Sequence, residues 1–178
     1  MAEAMLSHRV RELGIDATVA SAGTAADGRG PTSEAMAALA DHDLTMSDHV
    51  SRLLTPELLE SSDLVLGMAR DHVREVALIS PDVYPRTFTL KELVRRGGEV
   101  GPRRDAPLGA WLALARHGRT PTAHMGSSPI DDVDDPIGKR PAVYERVSDE
   151  LADLVDQLVT LLWVTEDSHT DPTELAST

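Results

Sequence analysis

The chain contains no cysteine. Within it, that excludes disulfides, thiolate zinc sites, iron–sulfur clusters and any thiol nucleophile. Apolar runs are only a few residues long, so no segment is suited to span a membrane. The opening Met1-Ala2-Glu3-Ala4-Met5 lacks the basic and long apolar regions of a secretory signal, and the expected location is the cytoplasm. Basic residues are outnumbered: 17 Lys and Arg face 30 Asp and Glu, a formal charge of −13. Such a surface repels phosphate backbones, which argues against a nucleic-acid partner. The 178 residues correspond to about one domain at roughly 150 residues each. The apolar and charged fractions, 41% and 26%, are those of an ordinary soluble domain.

What is present is an alternation of helical and extended patterns. Ala2, Met5, Leu6, Val10 and Leu13 share one side of a helix that Gly14 ends. Nothing written ahead of this helix caps its free amides. Residues 17–21 read as a short strand, with Ala22-Gly23-Thr24 as the turn leaving it and a polar Gly-rich loop over 25–31. A helix is expected over 33–41. Thr55-Pro56-Glu57 is a helix start, with a capping hydroxyl, a proline at the first turn and an acid at the positive dipole end. Residues 63–68 form the clearest strand, an apolar run suited to burial on both faces, followed by a helix over 69–79. A third strand is expected over 84–89, a short helix over 91–96 and another over 110–116. The last helix starts near Pro141. Val143, Val147, Leu151, Leu154, Leu158 and Leu161 give it one clean apolar face. From residue 165 the tail is polar, acidic and expected to be disordered. Strands alternating with helices point to an α/β fold with a parallel sheet and helices on both faces.

Charge is uneven along the chain. Between Lys91 and Arg119 seven basic residues face three acidic ones. Two readings fit: a solvated helical surface, or a docking patch for an acidic partner. The densest acidic run is Asp131-Asp132-Val133-Asp134-Asp135-Pro136. Mutual repulsion is expected to raise some of these carboxyl pKa values, so that one can serve as a general acid. A solvated acidic turn ahead of the last helix and a divalent metal site are the other readings. The spacing does not suit a calcium loop. The seven histidines show no zinc spacing, and no G-x-S-x-G elbow or dinucleotide fingerprint is present. The residues call for no cofactor and no metal.

Four segments, taken in order, carry a resemblance. They are Met1-Ala2-Glu3-Ala4 opening a helix, Ser21-Ala22-Gly23-Thr24 after a strand, the strand over 63–68 with its helix, and Asp135-Pro136-Ile137-Gly138 before the last helix. This order resembles the low-molecular-weight protein tyrosine phosphatase family, especially its bacterial and actinobacterial-looking members, and Arg86-Thr87-Phe88-Thr89-Leu90 fits that subgroup. The resemblance covers residues 1–164 as one domain, with a longer insert over about 97–130 and a tail over 165–178.

The resemblance implies a three-layer α/β fold with sheet order 2-1-3-4. It also implies hydrolysis of phosphorylated protein side chains or small phosphomonoesters through a cysteinyl-phosphate. The family's central first strand and C-x-x-x-x-x-C-R-S/T loop precede the Met-Ala-Glu-Ala helix, and neither is within this chain. Without the nucleophile and the phosphate-clamping Arg, the chain as written is expected to be inactive, the shortened form of a longer phosphatase. By resemblance Asp135 is the general acid, and Ser21 and His49 support the phosphate loop. Ile137 and Gly138 form the substrate wall, where phosphotyrosine-selective members often carry aromatics. Phosphoarginine, other phosphorylated side chains and arsenate reduction on the same fold remain open. So does a non-catalytic interaction module docking through 91–119.

Overall fold

In a computed structural model, residues 1–24, 28–120 and 122–163 are described. The tail over 165–178 and part of the loop over 25–31 lie outside the described residues.

Helix α1 (Ala2–Glu12) buries Met5 and Val10, and no side chain caps its first turn. Helix α2 (Ser33–Ala40) begins at Thr32, whose hydroxyl accepts from the Ala35 amide. Helix α3 (Pro56–Glu60) starts as its sequence dictates, with the Thr55 hydroxyl accepting from Leu58 N. Strand β1 (Val65–Gly67) leads into α4 (Arg70–Ile79). A 3-10 helix (Pro81–Arg86) precedes strand β2 (Thr87–Thr89). Then come α5 (Leu90–Val100), α6 (Leu108–Ala115) and α7 (Pro141–Leu162).

Strands β1 and β2 pair in parallel, in the register Val65–Thr87, Leu66–Phe88 and Gly67–Thr89. The class is therefore α/β around a small parallel sheet. Helix α4 packs on both strands, and α7 gathers α1, α2 and α5 around it. The apolar face expected of α7 is the one it buries, through Val147, Leu151, Leu154, Leu158 and Leu161, while Val143 packs at the core margin. Ser148 crosses to α2, its hydroxyl donating to Ala38 O at 3.2 Å. Helix α6 docks on α5 across Gly97, where an added Cβ would stand 2.7 Å from the Trp111 ring. The Trp111 indole N–H is satisfied by Gly101 O at 2.8 Å.

Two expected strands differ. Residues 17–21 do not form one. A strand exists through its ladder, and among the described residues 17–21 meet no strand partner; a parallel bridge, Gly23 with Leu53, forms just beyond them. The strand expected over 84–89 is confined to β2, because Pro85 has no amide to donate and the chain from Pro81 coils into the 3-10 helix instead. The helix expected over 91–96 runs further, through Gly97 and Gly98 to Val100. Among the described residues no helix is long and apolar enough to cross a membrane.

Candidate functional site

Ser21, His49 and Glu3 lie 18 to 46 positions apart in sequence and meet in space. The Ser21 hydroxyl donates to Glu3 Oε2 at 2.6 Å, and His49 Nδ1 lies 3.2 Å from the same oxygen. Glu3 belongs to the first turn of α1, where the helix dipole favours a carboxylate. The segment carrying Ser21 is fixed from the other side by Arg52, whose Nε donates to Ser21 O at 2.8 Å. The two expected supporting residues are thus gathered by a third, Glu3. It was visible only as part of the Met-Ala-Glu-Ala segment, with no role attached to it.

Asp135 lies on a separate loop, and among the described residues no hydrogen bond or ion pair joins it to the Glu3 cluster. The loop is braced against the start of α4. Asp132 Oδ1 accepts from the Arg70 amide at 2.8 Å and Oδ2 from the Ser128 amide at 2.7 Å. Val133 N donates to Met68 O at 2.8 Å. His72 Nδ1 takes the Met68 and Ala69 amides at 3.2 and 3.3 Å. Free amides at the α4 terminus are therefore met by one acid from the loop and one histidine from the helix itself. Asp131 is buried between Arg70 at 2.6 Å and Arg95 at 2.9 Å. Asp134 pairs on the surface with Arg146 at 2.6 Å.

The acidic run therefore does not behave as its sequence suggests. Burial works to raise the Asp131 carboxyl, but the hydrogen bonds and charges of Arg70 and Arg95 outweigh it and hold the group below its ordinary value. Arg146 does the same for Asp134, first through its hydrogen bond. At Asp131 and Asp134 repulsion does not prevail, because the fold turns these two carboxylates toward different cations, while Asp132 accepts from two backbone amides. The solvated-turn reading also fails at Asp131, which is 5% exposed. Asp135 is exposed and, among the described residues, pairs with no cation; its Oδ1 accepts from the Ile137 amide at 3.0 Å. Beyond it Ile137 is 72% exposed and Gly138 adopts a φ of 73°, a conformation glycine takes without strain. Among the described residues no group of three or more His, Asp or Glu is placed to hold a metal ion.

The basic stretch over 91–119 is largely committed to the chain itself. Lys91 reaches Glu150 at 2.7 Å, and Arg95 reaches Asp131. Arg96 contacts Glu92 at 3.2 Å. Arg103 donates to Leu162 O at 2.8 Å and Ala106 O at 3.0 Å. Arg119 is buried against Glu92. The docking patch for an acidic partner is thereby reduced to Arg104 and Arg116, the cations of this stretch without a partner among the described residues.

Residues 1–100 match the family described as low molecular weight phosphotyrosine protein phosphatase. The protein-arginine-phosphatase of Bacillus subtilis (strain 168) is 32% identical over 159 residues, 89% of this chain and 84% of that protein. The crystal structure of a low molecular weight protein tyrosine phosphatase from T. tengcongensis superposes with a TM-score of 0.66 at 29% identity, covering 89% of this chain and 86% of that one. The arginine phosphatase YwlE, in a Cys-to-Ser variant bearing a phosphorylated active-site serine, gives a TM-score of 0.66 at 31% identity over 89% of this chain and 84% of that one. By sequence and by fold, the chain belongs to the low-molecular-weight phosphotyrosine protein phosphatase family.

Proposed function

We propose that the chain is the scaffold and proton-donating part of a protein phosphatase of the phosphoarginine class, whose sulfur nucleophile comes from outside residues 1–178. The observation that carries this reading is the acid loop. Asp135 stands exposed and without an ion pair among the described residues, at the end of a segment in which Arg70 and Arg95 hold Asp131, backbone amides hold Asp132 and Arg146 holds Asp134. Similarity to the Bacillus protein-arginine-phosphatase over 159 residues supports the substrate class.

In the proposed reaction a cysteine thiolate attacks phosphorus and the bond from phosphorus to the side-chain nitrogen breaks. Asp135 gives its proton to the departing nitrogen, leaving a cysteinyl-phosphate. Water then attacks that phosphorus, Asp135 takes up the water proton, and the sulfur leaves as thiolate with release of inorganic phosphate. Ser21 and His49, gathered by Glu3, support the phosphate-binding loop beside the α1 terminus, where free amides and the dipole favour an anion. Ile137 and Gly138 form an aliphatic wall without a ring to stack on a phenyl group, which suits the flexible arm of phosphoarginine better than phosphotyrosine.

No residue of this chain can become the thiolate. The purified 178-residue polypeptide is therefore expected to leave p-nitrophenyl phosphate and a phosphoarginine peptide unhydrolysed above background; robust turnover by pure protein overturns the mechanism. In-frame codons for a Cys-to-Arg loop ahead of Met1 support the proposal, and an in-frame stop codon directly ahead of it overturns it. Arsenate reduction would need the same missing sulfur. A non-catalytic docking module keeps only Arg104 and Arg116 of its expected surface.

A further inference from the structure

The segment between α5 and α7, together with Tyr84 of the 3-10 helix, builds a concavity whose buried side is a charge network. Glu92 of α5 is 2% exposed. Its carboxylate stands 2.8 Å from His124 Nε2, 3.2 Å from Arg96 Nε and 3.7 Å from Arg119 Nη1. A carboxylate only accepts, so His124 Nε2 carries the proton, and in the neutral ring Nδ1 accepts from the Tyr84 hydroxyl at 3.2 Å. The Arg119 side chain is 1% exposed. Its guanidinium lies 4.4 Å from the Tyr84 ring centroid and 4.8 Å from that of Phe88. Nη1 donates to Thr87 O at 2.8 Å and Nη2 to Tyr84 O at 3.0 Å, while Nε is buried without a partner among the described residues.

In front of this network opens a pocket of about 320 Å³ lined by Tyr84, Ala113, Arg116, His117, Arg119 and Thr120. None of these residues belongs to the acid loop or to the Glu3 cluster, and none is a carboxylate. Glu92 supplies one negative charge, whereas Arg96, Arg119 and Arg116 supply three positive ones. Burial lowers the Arg119 pKa; Glu92 and Tyr84 oppose this, and Arg116 and Arg96 push it lower still. Arg116 lines the same concavity as Arg119; among the described residues it forms no ion pair, although its other side borders Glu60 and Asp63. A helix C-terminus ordinarily disfavours an anion. Here Arg96 Nη1 covers that end of α6 by donating to Ala115 O at 3.3 Å and His117 O at 3.2 Å.

We infer that this pocket is a binding site for a phosphate-type oxyanion, held by Arg116, His117 and Thr120 in front of the buried Arg119. A guanidinium, an imidazole and a hydroxyl, the last also bonded to the Thr122 hydroxyl at 3.2 Å, line one concavity and match the several acceptor oxygens of a tetrahedral anion. The bound anion provides the negative charge that the network lacks. It also ties the 3-10 helix, through Tyr84, to the end of α6. Free inorganic phosphate and a phosphorylated side chain share this chemistry. The site requires no cysteine, so it stands or falls independently of the catalytic proposal.

The test is a titration of the ¹⁵N-labelled 178-residue chain with inorganic phosphate at constant ionic strength, read at the Tyr84, His117 and Thr120 amides. Saturable shifts at these residues are expected, with a dissociation constant on the order of 1 mM. Arg116→Ala weakens binding about tenfold and His117→Ala weakens it as well, while Arg116→Lys retains part of it. Both residues are exposed, and an unchanged spectrum outside the pocket verifies folding. In a parallel arm with O-phosphoserine, tighter binding than phosphate identifies a phosphorylated side chain as the ligand, and weaker binding identifies the free ion. Shifts that fail to saturate, that chloride reproduces, or that persist unchanged in Arg116→Ala mean an adventitious ion only and overturn the inference. Shifts centred on Glu3, Ser21 and His49 overturn it too.

Discussion

The Arg119 guanidinium is buried between the Tyr84 and Phe88 rings with the Glu92 carboxylate 3.7 Å away, so the segment after α6 is fastened to α5 by a charge pair withdrawn from water. Removing one member leaves the other buried and uncompensated. Glu92→Ala is expected to destabilise the domain by about 3–5 kcal/mol, measured by urea unfolding. Glu92→Gln, which keeps shape and one acceptor, should lose less.

Gly97 predicts a steric effect of opposite sign to its helix propensity. Alanine in a helix interior is favoured over glycine by roughly 1 kcal/mol. Here its Cβ would stand 2.7 Å from Trp111 and 3.0 Å from Leu161, and overpacking costs about 1–3 kcal/mol. Gly97→Ala should therefore lower the denaturation midpoint, whereas Gly98→Ala, with open space at its Cβ position, should hold or raise it.

Acid should loosen the Asp135 loop through Asp131. Arg70 and Arg95 hold that carboxyl below its ordinary value against the opposing effect of burial. A depressed folded-state pKa contributes stability that is fully present above the unfolded value of about 3.9. That contribution is lost as pH falls through the folded value. Glu92 adds in the same sense: burial raises its carboxyl, but His124, Arg119 and Arg96 together bring it below normal. Stability measured between about pH 6 and pH 2 should fall less steeply in Asp131→Asn than in the parent chain, from a lower starting value at neutral pH.

In a form supplied with the proposed cysteine nucleophile, Asp135→Asn should depress turnover of substrates with basic leaving groups by about 10²–10⁴-fold. It should affect p-nitrophenyl phosphate much less, because that leaving group departs without a proton. Equal losses on both substrates would remove Asp135 as the acid.

Some of this was open to sequence reading. The face of α7 follows from steps of three and four between its aliphatic residues, and Thr55-Pro56-Glu57 starts a helix for reasons local to three positions. The family was legible from the order of short segments. Residues 17–21 show the other case. Their pattern suits a strand, but a strand needs a neighbour, and pattern alone does not supply one. The acidic run shows it again: adjacency in sequence suggests repulsion, yet Asp131 and Asp134 are each turned toward arginines from elsewhere in the chain. Glu3 was missed for the same reason, since its partners Ser21 and His49 are remote in sequence.

By itself the sequence determined the helices, the α/β class, the acidic balance and the absence of any thiol, because these depend on composition and on periodicities within a few turns of chain. Only the tertiary structure decided which carboxylates are neutralised, that Ser21 and His49 meet on Glu3, and that Arg116 stands beside a buried network without an ion pair among the described residues. Electrostatic free energy falls off with distance through space and rises with burial. Neither quantity exists until chain folding brings distant residues together.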